Sequence, residues 1–430
     1  MEYNAVHIEG TGTGLDICIR PGFRATIRSM DTSDTFRKTR AAWLLAAVEL
    51  FFSLSWVVYV IFLPELLARG GVDKRYLPWL LAADQLLFAL ADWTMGVAVD
   101  RVRAALRGIG PMLVLLAAVS AVAMLLLPWL AVMPMLFLAV TSVWVATSSA
   151  LRAPPYVLLS RYAGRFAMPR LAGIQLLGLA VASALAPYLA IILKGVDPSL
   201  PFFLSAAAVG VSALALVVVE RGQPVDQPWE ADVQPAVPAD AARGAWIVLL
   251  AIALLLAFGQ QVHTAINAAP QFKRLADPAL LTWLMPVFWV GFSFGLLLVD
   301  RLVRLRGSLP VLQLACIAGT LSLAGTVLAG SLPLLVASQF AAGAFWGLIL
   351  CASIGVASER GYPLQTGRST GALMATLAVA AMSRLSLVAS GGAGSEALME
   401  WLPAIMWAAA ALLLLRLGGQ RAGQEWRPAG

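Results

Sequence analysis

This sequence predicts an all-α membrane protein, twelve transmembrane helices in two six-helix bundles with both termini cytoplasmic. Three observations predict it. Of 430 residues, 60% are hydrophobic and 12% charged, and the mean hydropathy is +0.83, more apolar surface than a soluble domain carries. Apolar runs of about 20 residues, enough to cross roughly 30 Å of hydrocarbon as helix, recur along nearly the whole chain. The surroundings of Asp100-Arg101, "VAVDRVRAALRGIGP", return at Asp300-Arg301 as "LLVDRLVRLRGSLP", an internal repeat of the kind two parallel halves produce.

The expected spans have cores at 41-66, 77-99, 109-130, 133-155, 169-193 and 201-219, then 244-266, 279-299, 309-329, 332-355, 369-389 and 398-417. Their connecting loops alternate in charge. Arg40, Arg101, Arg103, Arg165, Arg170, Arg221, Arg301, Arg306, Arg368 and Arg416 fall in one set, while the opposite set holds only a few basic residues, such as Arg69, Lys74 and Arg274. The positive-inside rule then puts both termini in the cytoplasm. The net charge of +7 is thereby topogenic, with no continuous basic surface for nucleic acid.

Residues 1-40 read as a cytoplasmic tail, expected to be disordered, without the apolar centre of a cleavable signal. Met30 heads a compact basic lead, "MDTSDTFRKTRAAWLL", so translation starting there is one reading of the tail. The bundles are expected at 41-219 and 244-417, joined by a Pro- and Asp-rich cytoplasmic linker at 220-243, with a second tail at 418-430. Cys18, Cys316 and Cys351 are scattered, and the two histidines form no metal or hydrolase motif. No enzyme activity, cofactor or metal is expected. Arginine dominance with abundant Ala, Gly and Leu suggests a bacterial chain of the cytoplasmic membrane, acting as a monomer among lipids.

Twelve spans, a central linker and a duplicated G-x-x-x-D-R type loop resemble the major facilitator superfamily over nearly everything after residue 40. In the first half the loop residues are Gly96, Asp100 and Arg101; in the second the glycine is displaced to Gly295, ahead of Asp300 and Arg301. The resemblance implies that these loops latch the cytoplasmic side shut by bonding to neighbouring helix ends, sensible for a carboxylate beside a helix N-terminus.

Ionisable groups inside the spans are few: Glu49, Asp84, Asp92, Arg152 and Arg384. Each is costly there and defaults to function or a partner. Counted by helical rise from Arg40, Asp100 and Arg161, the residues Glu49, Asp92 and Arg152 lie about 12 to 14 Å inside the cytoplasmic boundary, in one layer. Protonating an acid of such a cluster breaks a pair and can release a lock; the alternative is a static pair needed for folding. Asp84 and Arg384 lie toward the outside, where they could close an outer gate, or Arg384 could snorkel to the surface.

Span two, "DWTMGVAVDRVR", with the end of span four, "SALRAPPYVLLSRY", and "RFAMPRLAGIQLLG" resembles the glycoside-pentoside-hexuronide symporters, the melibiose carrier type. The resemblance implies that Glu49 contacts a sugar, that Asp92 belongs to the coupling site, and that Arg170 and, loosely, Arg384 complete it. Phe88 and Arg152 stand where that family has acids. A guanidinium beside the site disfavours sodium, so proton coupling is expected. In the second half "FGQQVHTAIN" offers Gln260, Gln261, His263 and Asn267 to a polar solute, though His263 alone also suits a packing role.

The expected function is secondary active transport of a small solute, a sugar or glycoside by resemblance, by alternating access with proton symport. Rivals are a proton-driven exporter of amphipathic compounds and a non-transporting membrane scaffold or assembly factor.

Overall fold

The computed structural model describes residues 32–104, 110–151, 155, 159, 168–221, 239–360, 366–391 and 396–425. Residues 1-31, Arg152 and most of the 220-243 linker lie outside this set. The described residues are helical with short turns.

We number the membrane helices α1 Thr32–Arg69, α2 Leu77–Ala104, α3 Gly110–Leu130, α4 Pro134–Ala150, α5 Met168–Ile192 and α6 Ser199–Arg221. After the linker follow α7 Ala239–Val262, α8 Val287–Arg306, α9 Ser308–Leu328, α10 Leu332–Arg360, α11 Thr366–Ala389 and α12 Glu396–Glu425. Eleven are long and apolar enough to cross a membrane, and α4 is a shorter apolar helix. Helical hydrogen bonds close within the segment. Helix therefore need not stop at the hydrocarbon boundary, and α1 begins nine residues before its expected core while α12 runs beyond residue 417.

The seventh span is not uniform. A π-helical turn, His263–Asn267, follows α7 and leads into Ala268–Lys273. The extra residue of such a turn re-aims the side chains beyond it. Before α8, Pro286 is the N-cap residue, without an N–H to donate.

At the end opposite Asp100 the two halves share a device that sequence reading overlooked. Asp73 accepts from the Arg75 N–H at 2.9 Å and Asp277 from the Ala279 N–H at 2.8 Å, each opening a 3-10 turn ahead of α2 or α8. At the other end, Gly307 (φ 82°) turns α8 directly into α9; that φ favours glycine.

Within the first six helices α1 packs on α5 and α6, and α3 on α4 and α6; within the last six, α10 packs on α8 and α9, and α12 on α7 and α9. Across the seam α2 lies along α11, and α5 meets α8 and α10. Lipid offers no hydrophobic drive between helices, so small residues permit close van der Waals contact. "GFSFG" of α8 and "GAFWG" of α10 do this reciprocally: a Cβ on Gly291 would collide with the Phe340 carbonyl, and one on Gly343 with that of Phe288. The α2–α11 seam uses Gly96, Gly367 and Gly371 in the same way.

Candidate functional site

The α2–α11 seam carries the best-defined interaction between the halves. Buried Asp100 accepts from the backbone N–H groups of Gly367 (2.9 Å) and Arg368 (2.9 Å) in the first turn of α11. These donors lack intrahelical partners and mark the positive end of the helix dipole. Arg368 also sits 5.8 Å over the Trp93 ring. The second copy of the loop is built differently: Asp300 pairs with Arg304 one turn along its own helix at 2.6 Å, on an exposed surface. Arg101 and Arg301 are exposed, and Gly295 faces α10 rather than the seam.

Glu49 and Asp92 are both buried and approach the same turn of α4. Asp92 accepts from the Ser149 hydroxyl at 3.0 Å. Glu49 lines a small pocket with Ser120, Ser148 and Ser212 among apolar walls from α1, α3, α4 and α6. Consecutive serines of α4 thus lie in the two acids' surroundings, Ser149 bonded to Asp92 and Ser148 lining the Glu49 pocket. Asp92 is also a seam residue, because its own carbonyl abuts Gly371 of α11. Arg152, the third member of the expected layer, lies outside the described residues. Half-buried Arg170 is in the first turn of α5, about 12 Å by helical rise from Gly178, which abuts Ala46 and Leu50 of α1.

Toward the opposite end, Asp84 is 2% exposed and accepts from the Tyr59 hydroxyl at 2.9 Å. Tyr59 belongs to an aromatic cluster with Trp56, Phe88 and Trp144, whose centroids lie 4.7 to 6.0 Å apart. Arg384 donates through Nε to the Gln261 amide oxygen at 3.1 Å. Asp84 and Arg384, the expected outer gate, are thus each bonded within their own half, whereas Asp100 bonds across the seam.

The polar run of α7 is engaged inside the second half. Gln260 donates to Thr264 at 3.2 Å, and Asn267 to the Met399 carbonyl at 2.8 Å. His263 Nε2 lies 2.8 Å from Gln339 Oε1, Gln339 donates to Gln271 at 3.1 Å, and Gln271 to Thr326 at 3.4 Å. Since the Gln339 amide nitrogen serves Gln271, its oxygen accepts, which assigns the histidine proton to Nε2. Gln339, Gln271, Thr326 and Ser149 were missed by sequence reasoning. Gln271 alone had a signal, four residues beyond Asn267, the last residue of that polar run. One more residue was overlooked: Gln175 of α5 is fully buried with neither amide atom hydrogen-bonded.

With this geometry in hand, comparison defines the class. Residues 45–383 match the model of the Major Facilitator Superfamily, and the chain belongs to that superfamily of membrane transporters for small solutes. A twelve-helix transporter fold, not an enzyme, is what the family match and the helices together show. Among solved structures the chain is similar to the human organic anion transporter MFSD10 (TETRAN), at 14% identity and TM-score 0.68, over 88% of this chain and 99% of that one. It is also similar to the transporter FucP in its outward conformation, at 14% identity and TM-score 0.61, over 86% and 97%. No curated protein sequence matches it.

Proposed function

We propose that this chain is a proton-coupled secondary transporter of a bacterial cytoplasmic membrane, importing a small polar solute of the sugar or glycoside class as a monomer. In this reading the Asp100 end faces the cytoplasm and both termini lie there. The observation that carries it is the position of Asp92: buried, bonded to α4, and on the turn of α2 that touches α11. Charging or neutralising a carboxylate at that point changes the energy of the seam the two halves must break to alternate access. Glu49, reaching the same turn of α4, is the second candidate for the proton.

The test uses purified protein in proteoliposomes loaded with a panel of sugars and glycosides. A pH gradient should drive accumulation, and Asp92→Asn should abolish accumulation while solute exchange at equal concentration survives. Equal gradient-driven uptake in Asp92→Asn and Glu49→Gln variants would remove the coupling role, and no exchange of any solute would remove the import reading.

A second reading, export of amphipathic compounds, is favoured by one feature. The Trp56, Tyr59, Phe88 and Trp144 cluster around Asp84 offers aromatic faces beside a buried acid, the chemistry that suits an apolar cation. The same vesicles, tested for expulsion of a fluorescent lipophilic cation, discriminate the two.

A further inference from the structure

Arg384 is the only charged residue of the chain between Arg368 and Glu396, five residues from the end of α11, about 8 Å by helical rise. Its Nε–H donates to Gln261 of α7, which aims the side chain toward a neighbouring helix rather than outward to lipid. A guanidinium at such depth ordinarily has a counter-charge. None of the ion pairs among the described residues includes it. Its own half offers little: within the expected cores of spans seven to twelve the only acid is Glu400, which pairs with Arg274 at 2.7 Å. Across the seam, Asp84 is bonded to Tyr59 and Asp92 to Ser149.

We infer that Arg384, held by Gln261, is the docking point for an anionic group of the transported solute, which is therefore an organic carboxylate. A planar carboxylate matches the guanidinium edges that the Gln261 bond leaves over, and brings the missing negative charge into the bundle. The inference rests on the transporter reading and narrows its solute to the acidic members of the class, such as a sugar acid.

The experiment measures ligand-induced thermal stabilisation of the full-length protein in detergent with two matched pairs, glucuronate against glucose and benzoate against benzyl alcohol. At least one acid should stabilise the wild type more than its neutral partner. Arg384→Gln should weaken that response roughly tenfold to a hundredfold, the loss expected of a charge-assisted hydrogen-bonded pair. Arg384→Lys, which keeps the charge without the planar fork, and Gln261→Leu should each weaken it less, and they keep the test valid if Arg384→Gln does not fold. An equal response to acid and neutral partner, an acid response unchanged in all three variants, or no response to either acid overturns the inference. So does stabilisation by phosphatidylglycerol alone, which would make Arg384 a lipid headgroup site. Glucose or benzyl alcohol binding without the acids sinks the anion and leaves transport standing; the vesicle exchange above is what tests transport itself.

Discussion

The Asp100 carboxylate of α2 accepts hydrogen bonds from the backbone N–H groups of Gly367 and Arg368, at 2.9 Å each, so an acid of one half caps the first turn of a helix in the other. This couples a helix-dipole interaction to the relative position of the halves. Asp100→Asn keeps one acceptor but loses the charge, and should weaken the closed seam by about 0.5–2 kcal/mol, the range for helix capping and dipole interactions. Spin-label distances between the α2 and α11 ends would report it as a larger population of separated states. An unchanged distance distribution would mean that the glycine contacts alone hold the seam.

The glycines are testable separately. Gly96→Ala places a methyl against the Gly367 carbonyl, where both sides are backbone and neither yields cheaply. Gly210→Ala on α6 meets nothing within 4 Å and reduces the freedom of the unfolded chain. Melting temperatures should move in opposite directions, down for Gly96→Ala and up or level for Gly210→Ala. A Gly96→Ala variant as stable as wild type would show that the helices can part without loss.

Asp84 and Tyr59 give a graded comparison. Tyr59→Phe strips the buried carboxylate of its hydroxyl donor and should cost about 1–3 kcal/mol, the desolvation penalty of an unpaired buried polar group. Asp84→Asn keeps an acceptor for the Tyr59 hydroxyl and removes a buried charge, so it should be the milder change. Denaturation of the two variants side by side checks the order, and the reverse order would mean that the Asp84 charge itself stabilises the bundle.

What the sequence made legible follows from pattern. Long apolar runs and charge alternation need only local composition, so the helices were readable. Asp100 was readable because its loop is repeated at Asp300, yet the repeat did not disclose that Asp300 pairs with Arg304 on its own helix. The bonds that define the polar interior join residues 57 apart in Asp92–Ser149 and 76 apart in His263–Gln339. A serine or glutamine within an apolar run leaves no periodic signal, and its partner is set by how helices pack. Of the expected layer, Asp92 bonds Ser149 and Glu49 shares a pocket with Ser148, while Arg152 lies outside the described residues. Helical rise alone could not disclose the Ser149 hydroxyl that bonds Asp92.

Gln175 supplies the sharpest separation of stability from function. Its amide nitrogen and oxygen are both buried without a partner on α5, the helix that meets α1, α8 and α10. Burying an amide without compensation costs roughly 1–3 kcal/mol by mutational measures. An apolar residue of similar volume removes that penalty, so Gln175→Met or Gln175→Leu should raise the melting temperature of the purified protein. Groups retained at a cost to stability tend to serve the working cycle. If Gln175 gains its partners when the helices rearrange, the stabilised variants should also exchange solute more slowly, since the rearranged state loses bonds the starting state never had. A gain in stability with unchanged exchange would make the amide a tolerated defect of packing. A loss of stability would show that it is hydrogen-bonded in the membrane-embedded protein.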